Sequence, residues 1–526
     1  MKTKIFVFLL LLGFSNQDED HPRHEPPNSN FAPTGRVGNV MEGSRNFWRV
    51  NAARHIQGTL NRQFSTNKAK NIILFIGDGM SMPTVSATRM YLGKEENFLS
   101  FERFPYYGIA KHYCVDLQTG DSACTATAFL CGVKTNNRLI GINANVLSRQ
   151  CAVNRTDHVD SIVKWAQNSY KATGIVTTTR ITHATPAAAY AHAAHRGWEN
   201  NIAISSACRN RPDVTDIAHQ LIHDDPGKNL KVIMGCGRRH FLNTTMRDEE
   251  GNAGARTDGR NLIDEWITER NKQGRAEYVG LREQLMNVDL QKTDYLMGLF
   301  EADHCFYNLD IMDNNRQNLE PTLSEMTAKA LRMLQKEENG FFLLVESGRI
   351  DHAHHGTAPH RALEETAEFA RTIELVKQMT DESDTLLVVS ADHSHVNTFN
   401  GYPVRGNHIG GVVGYNAQDG LPFSTISYTN GPGHSSTYET GTNRRVNLRN
   451  VDMKNPARQA SATVPLSSET HAGDDVGVYA SGPWSHLFTG TYEQNVIPLA
   501  MAYAAEIGPY GVIEEDRKMP VNPYIK

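Results

Sequence analysis

The chain has 526 residues, 39% hydrophobic and 21% charged, a balance that allows a large buried core and excludes a disordered or fibrous protein. A formal net charge of -5 and a pI near 6.5 leave no basic footprint for nucleic acid and no polybasic membrane patch. Seven cysteines are too few for a disulfide scaffold; in an oxidising compartment some pair, and the odd count leaves at least one over.

Met1 to Lys4 is basic, Ile5 to Phe14 is an apolar run too short to span a bilayer, and Ser15 to Gln17 is polar. Residues 1–17 therefore read as a secretory signal peptide. Two sequons, Asn154-Arg155-Thr156 and Asn243-Thr244-Thr245, suit the same route. Residues 18–42, rich in Pro, Asn, Glu and His, read as a disordered tail. From Arg45 to Gln63, the residues Phe47, Trp48, Val50, Ala53, Ile56 and Leu60 recur at helical spacing. That segment is either a surface helix packed on its own domain or an arm embracing a second subunit. The far end, residues 511–526, is a polar tail without an apolar stretch, so no membrane anchor is expected and the mature protein is expected to be secreted.

Between these ends, unbroken apolar runs of strand length recur: Asn71 to Ile76, Gly174 to Thr179, Lys231 to Gly235, Phe341 to Glu346 and Thr385 to Asp392. Helical patterns fall between them at Val159–Tyr170, Asp213–His223, Asn261–Lys272, Thr322–Gln335 and Arg361–Met379. This alternation predicts an α/β fold, a three-layer sandwich around a large, mostly parallel sheet covered on both faces. Residues 401–468 change character, with many Gly, Asn, Ser and Thr, and read as a loop-rich or small β insertion, after which the chain returns to a final strand and helix.

Ligands of such sheets gather beyond the carboxyl ends of the strands. Asp78, His183, Glu346, Asp351 and Asp392 all fall there. In Asp351-His352-Ala353-His354-His355, a helix would place Asp351 and His355 one turn apart on one face, where both can hold one ion, with His471 as the third ligand. Asp392 and His393, with Asp78, offer a second site, and Thr185 and Glu346 bring the oxygen ligands that magnesium prefers. His354 and His395 read equally well as hydrogen-bonded structural residues. In Thr119-Gly120-Asp121-Ser122-Ala123-Cys124 a serine stands at a helix opening, either as an N-cap or as a nucleophile holding a phosphate. Two cations roughly 3.5–4 Å apart would bracket a phosphoryl group there, and Arg196 would clamp its non-bridging oxygens.

These motifs, from Asn71–Met80 through Asp121–Lys134, Thr177–Trp198, Phe341–His355 and Ala391–Val396 to Glu469–Val476, resemble the animal alkaline phosphatases over nearly the whole mature chain. The resemblance implies hydrolysis of small-molecule phosphomonoesters through a phosphoserine on Ser122, with Arg196 as the clamp. It implies one zinc on Asp351, His355 and His471, a second on Asp392 and His393, and Asp78 bridging to a magnesium on Thr185 and Glu346. His183 and His352 match histidines near the magnesium and the phosphate. A calcium on Glu250, the Phe300 carbonyl, Glu301 and Glu320 is also implied, although Glu320 stands where the family usually has Asp. Residues 43–400 and 469–510 would be the catalytic domain, 401–468 the crown, and 45–63 the arm of a homodimer. Cys151 with Cys208 resembles a family disulfide; Cys124, where the family often has Gly, reads as a small buried group or an oxidisable thiol. The alternatives are a phosphodiesterase or sulfatase on the same sheet, whose nucleophile is usually Thr or a modified Cys, and a non-catalytic phosphate- or metal-binding protein.

Overall fold

Runs such as Ile72 to Ile76 and Phe341 to Val345 are wholly buried, as strands sandwiched between helices must be. The computed structural model describes residues 40–313 and 316–511; the expected signal peptide, nearly all of the N-terminal tail and the C-terminal tail beyond residue 511 lie outside them. Ten strands form the main sheet: β1 (Asn71–Gly77), β2 (Tyr106–Lys111), β3 (Ala172–Arg180), β4 (Val232–Cys236), β5 (Ala276–Val279), β6 (Tyr295–Leu299), β7 (Phe341–Ser347), β8 (Thr385–Ser390), β9 (Val476–Ser481) and β10 (Gly490–Glu493). Their order is β10-β2-β9-β8-β1-β7-β3-β4-β6-β5, and β9 alone runs against its neighbours. The expected α/β architecture with a mostly parallel sheet is what the structure has.

Six helices matter to the site: α1 (Arg45–Leu60), α2 (Ser122–Cys131), α3 (Leu323–Leu334), α4 (Arg349–His355), α5 (Pro359–Met379) and α6 (Val496–Ala505). Helices α3 and α5 pack on each other and against β1, β3 and β7; α2 and α6 form a separate group with the helix Ile162–Asn168. The two groups cover the two faces. Helix α1 corrects one expectation. It buries none of its residues, and Trp48, Val50, Ile56 and Leu60 are exposed, so it does not pack on its own domain.

Strands β2, β5, β6 and β10 were not among the expected strands. Three of them alternate or stay half-exposed near an edge, and β6 is only five residues long with Gly298 inside it, so none gives a long apolar run. Residues 397–465 carry two small sheets: Asn397–Phe399, Ile426–Gly431 and Ala462–Pro465 in one, Val412–Asn416 and Pro422–Ser424 in the other. They share a small core with Ala87 and Leu363 of the main body. Around this insertion, Ser394–His395 pairs antiparallel with His471–Ala472, which returns His471 to the end of β8.

Candidate metal and phosphate site

Strand register assembles the site. Ile76 of β1 lies between Glu346 of β7 and Ser390 of β8, and Glu346 in turn faces Thr177 of β3. One or two residues further along, Asp78, Asp392 and the start of α4 therefore arrive at the same point. Gly79 is required there: its φ is +71, and a Cβ would lie 2.5 Å from the His395 ring.

Helix α4 puts Asp351 and His355 one turn apart, as their spacing implied. The His355 and His471 rings approach with Nε2 atoms 3.2 Å apart. Nδ1 of His355 faces the carbonyl of Glu469, and Nδ1 of His471 lies 2.8 Å from the carbonyl of Gly120. A carbonyl only accepts, so both Nδ1 atoms carry the proton and both Nε2 atoms present lone pairs. Asp351 Oδ1 adds a third acceptor, 3.4 Å from one and 3.3 Å from the other. Two imidazole nitrogens and a carboxylate oxygen converging in this way fit a cation, and suit zinc.

Beside them, Asp78 is fully buried with neither oxygen hydrogen-bonded. Burial, then the carboxylates of Asp392, Asp351 and Glu346, push its carboxyl well above the usual range. His393 Nε2 lies 3.0 Å from Asp392 Oδ2 and 3.4 Å from Asp78 Oδ1. Burial holds that imidazole down at about 4 despite Asp392, which keeps a lone pair available. Glu346 is pushed up to about 7 by burial, opposed by the hydroxyls of Thr177 and Thr185, and its Oε1 has no hydrogen-bond partner. Asp78, His183 and Glu346 lie within ligating distance of one another. Crowded, unpaired buried carboxylates fit further cations, with oxygen ligands on the magnesium side.

Ser122 is the first residue of α2, with its Oγ 3.3 Å from His393 Nε2. Its neighbour Asp121 is the N-cap: Oδ1 accepts from the amides of Cys124 and Arg138, and Oδ2 pairs with Arg196 Nη1 at 3.0 Å. The other end of that guanidinium donates from Nη2 to His183 Nε2 at 2.9 Å. Thus the cap of the serine's own helix also aims Arg196. His352 accepts from Arg349, and burial with that arginine holds it down at about 3.

A family model described as alkaline phosphatase matches residues 69–507. The chain belongs to that family. It is 43% identical over 507 residues to the membrane-bound alkaline phosphatase of Bombyx mori, covering 94% of this chain and 90% of that protein. It is 44% identical over 481 residues to the tissue-nonspecific alkaline phosphatase of Gallus gallus, covering 88% and 90%. Among solved structures it is similar in fold to Thermus thermophilus alkaline phosphatase, with a TM-score of 0.60 at 23% identity over 86% of this chain and 94% of that one. The chain is an enzyme of the alkaline phosphatase class.

Four features escaped the sequence reading. His395 donates from Nε2 to Asp351 Oδ1 and from Nδ1 to Glu469 Oε2; burial opposes its charge, but the two carboxylates hold its pKa up at about 10. It fixes the Asp351 carboxylate from behind, whereas His354 is the structural residue, bonded to Thr84 and Tyr428. Glu469 also accepts from the amide of Val396. His304 closes on His352 and His183, with ring centroids 4.2 and 5.3 Å away, and bonds Arg180. Cys124 is neither a free thiol nor a spacer: it is bonded to Cys114, and Cys131 is the buried free cysteine. Cys151–Cys208 forms as the resemblance implied, with Cys236–Cys305 beside it.

The calcium set fares differently from the zinc and magnesium sets. Glu250, Glu301 and Glu320 do approach one another, but the Arg316 guanidinium pairs with both Glu250 and Glu301. Those residues do not fit a calcium ion.

Proposed function

We propose that this enzyme hydrolyses phosphate monoesters by transferring the phosphoryl group to Ser122 and then to water. The observation that carries the reading is the convergence of the bare His355 and His471 nitrogens and Asp351 beside a serine at a helix N-terminus. In this reading Asp351, His355 and His471 would hold one zinc, Asp392 and His393 the second, and Thr185 and Glu346 with Asp78 a magnesium. When bound, such cations lower the pKa of hydroxyl and water and neutralise charge on the transferring oxygens.

The chain's own groups do the positioning. Arg196, held by Asp121 and His183, forks onto two non-bridging oxygens. Backbone amides at the start of α2 and its dipole favour the transferring anion. Ser122 Oγ bonds to phosphorus as the ester oxygen departs with a proton as the alcohol; a water then displaces the serine and releases phosphate. Affinity resting on the phosphate supports broad specificity for the leaving group.

The test is p-nitrophenyl phosphate hydrolysis at alkaline pH by the wild type and Ser122→Ala, with and without a chelator. Loss of activity on the order of 10⁴-fold with the mutation, and reversible loss on chelation restored by zinc and magnesium, is the expected result. Preferential turnover of bis-p-nitrophenyl phosphate would favour the diesterase reading instead.

Residues 43–400 and 469–510 act in this account as the catalytic domain and 401–468 as its crown. The exposed apolar side chains of α1 support an arm in a homodimer, checked by sedimentation of a variant lacking residues 45–63. Three disulfides support passage through a secretory pathway. Glycan attachment falls to Asn154, which is exposed, rather than to the buried Asn243. The expected absence of a membrane anchor gains no support, since the Bombyx mori relative is named membrane-bound; among the described residues no helix is long and apolar enough to cross a bilayer.

A further inference from the structure

We propose that Arg316 is a built-in cation, standing where the alkaline phosphatase resemblance places a calcium ion. Its guanidinium lies 4.4 Å over the Phe306 ring and pairs through Nη2 with Glu250 Oε1 at 2.6 Å and with Glu301 Oε1. The second oxygen of Glu250 is also taken, by Arg238 Nη2 at 3.0 Å. Arg238 is itself wholly buried, and also pairs with Asp248 and Glu249. Glu320 Oε1 accepts from the amide of Phe306 at 2.8 Å. Four of the six carboxylate oxygens in the set thus already have donors.

Calcium takes six to eight oxygen ligands. What the set has left is Glu301 Oε2, the Phe300 carbonyl and Glu320 Oε2, which is buried and without a partner; three oxygens fall short of that number. Local winding keeps the arginine in place. The amides of Leu319 and Glu320 both donate to the Arg316 carbonyl, at 2.8 and 3.0 Å, so the arginine and the last acidic residue of the set belong to one turn. Stacking on Phe306 and two carboxylate partners suit the flat, permanently charged guanidinium better than a lysine. The chain thereby neutralises the cluster by covalent means, and its stability does not depend on calcium in the medium.

The experiment uses the holoenzyme loaded with zinc and magnesium. Wild type and Arg316→Gln are exposed to calcium and dialysed, calcium is counted by elemental analysis, and thermal unfolding is followed with and without added calcium. The expected result is no calcium retained by the wild type and an unchanged Tm, while Arg316→Gln retains one calcium per chain and gains a calcium-dependent rise in Tm. Retention of one calcium per chain by the wild type would overturn the proposal, and that measurement decides the matter even if Arg316→Gln does not fold. A folded, calcium-free Arg316→Gln as stable as the wild type would overturn it as well.

Discussion

Two acidic clusters among the described residues differ in what faces their oxygens. Around Asp78, Glu346, Asp351 and Asp392, acceptors face one another: two imidazole nitrogens 3.2 Å apart, and carboxylate oxygens with no donor. Around Glu250 and Glu301, two arginines occupy the oxygens. The first arrangement is strained unless a mobile cation enters; in the second most oxygens already have a donor that the chain encodes. Carboxylates alone are therefore a weaker pointer to a metal than lone pairs left facing each other.

The largest effect expected from breaking this contrast is at His471. His471→Gln should lower activity by on the order of 10³-fold, with zinc per chain falling in elemental analysis; undiminished zinc content would remove His471 from the ligand set. Next comes the support of Asp351. Glu469→Gln removes the carboxylate that faces His395 Nδ1, and metal affinity should fall about 10- to 100-fold, read by activity against free zinc in a buffered series, with excess zinc restoring turnover.

A smaller loss is expected at the clamp. Asp121→Asn keeps an acceptor for the helix cap but removes the charge opposite Arg196, costing about tenfold in kcat/KM through the loss of a charge-assisted bond. Equal kcat/KM in the variant would show that Arg196 is aimed by His183 alone. Smallest of all, Arg316→Gln should leave hydrolysis of p-nitrophenyl phosphate at the wild-type rate in the presence of calcium, because the arginine lies outside the catalytic cluster; a fall in kcat would join the two clusters that the geometry separates.

Much of the sheet was legible in the sequence because buried parallel strands announce themselves as unbroken apolar runs, as Ile72 to Ile76 and Leu386 to Val389 do. The edge strands β5 and β10 and their half-exposed neighbour β2 were not, since a half-exposed strand carries a weaker pattern. Asp351 and His355 could be paired from a helical spacing of four, a local signal. His395 and Glu469 could not: their roles depend on the two-residue ladder that brings His471 alongside His395, a contact between distant segments. Cys124 failed for the same reason, its partner Cys114 lying across a loop with no local periodicity. Arg316 was invisible because a lone arginine in a polar loop has no pattern until Phe306, Glu250 and Glu301 are seen around it.

The short ladder between Ser394–His395 and His471–Ala472 does more than deliver one ligand. It makes the chain leave and re-enter the main body at one point, so that His471 keeps its place beside His395 after an excursion of some seventy residues.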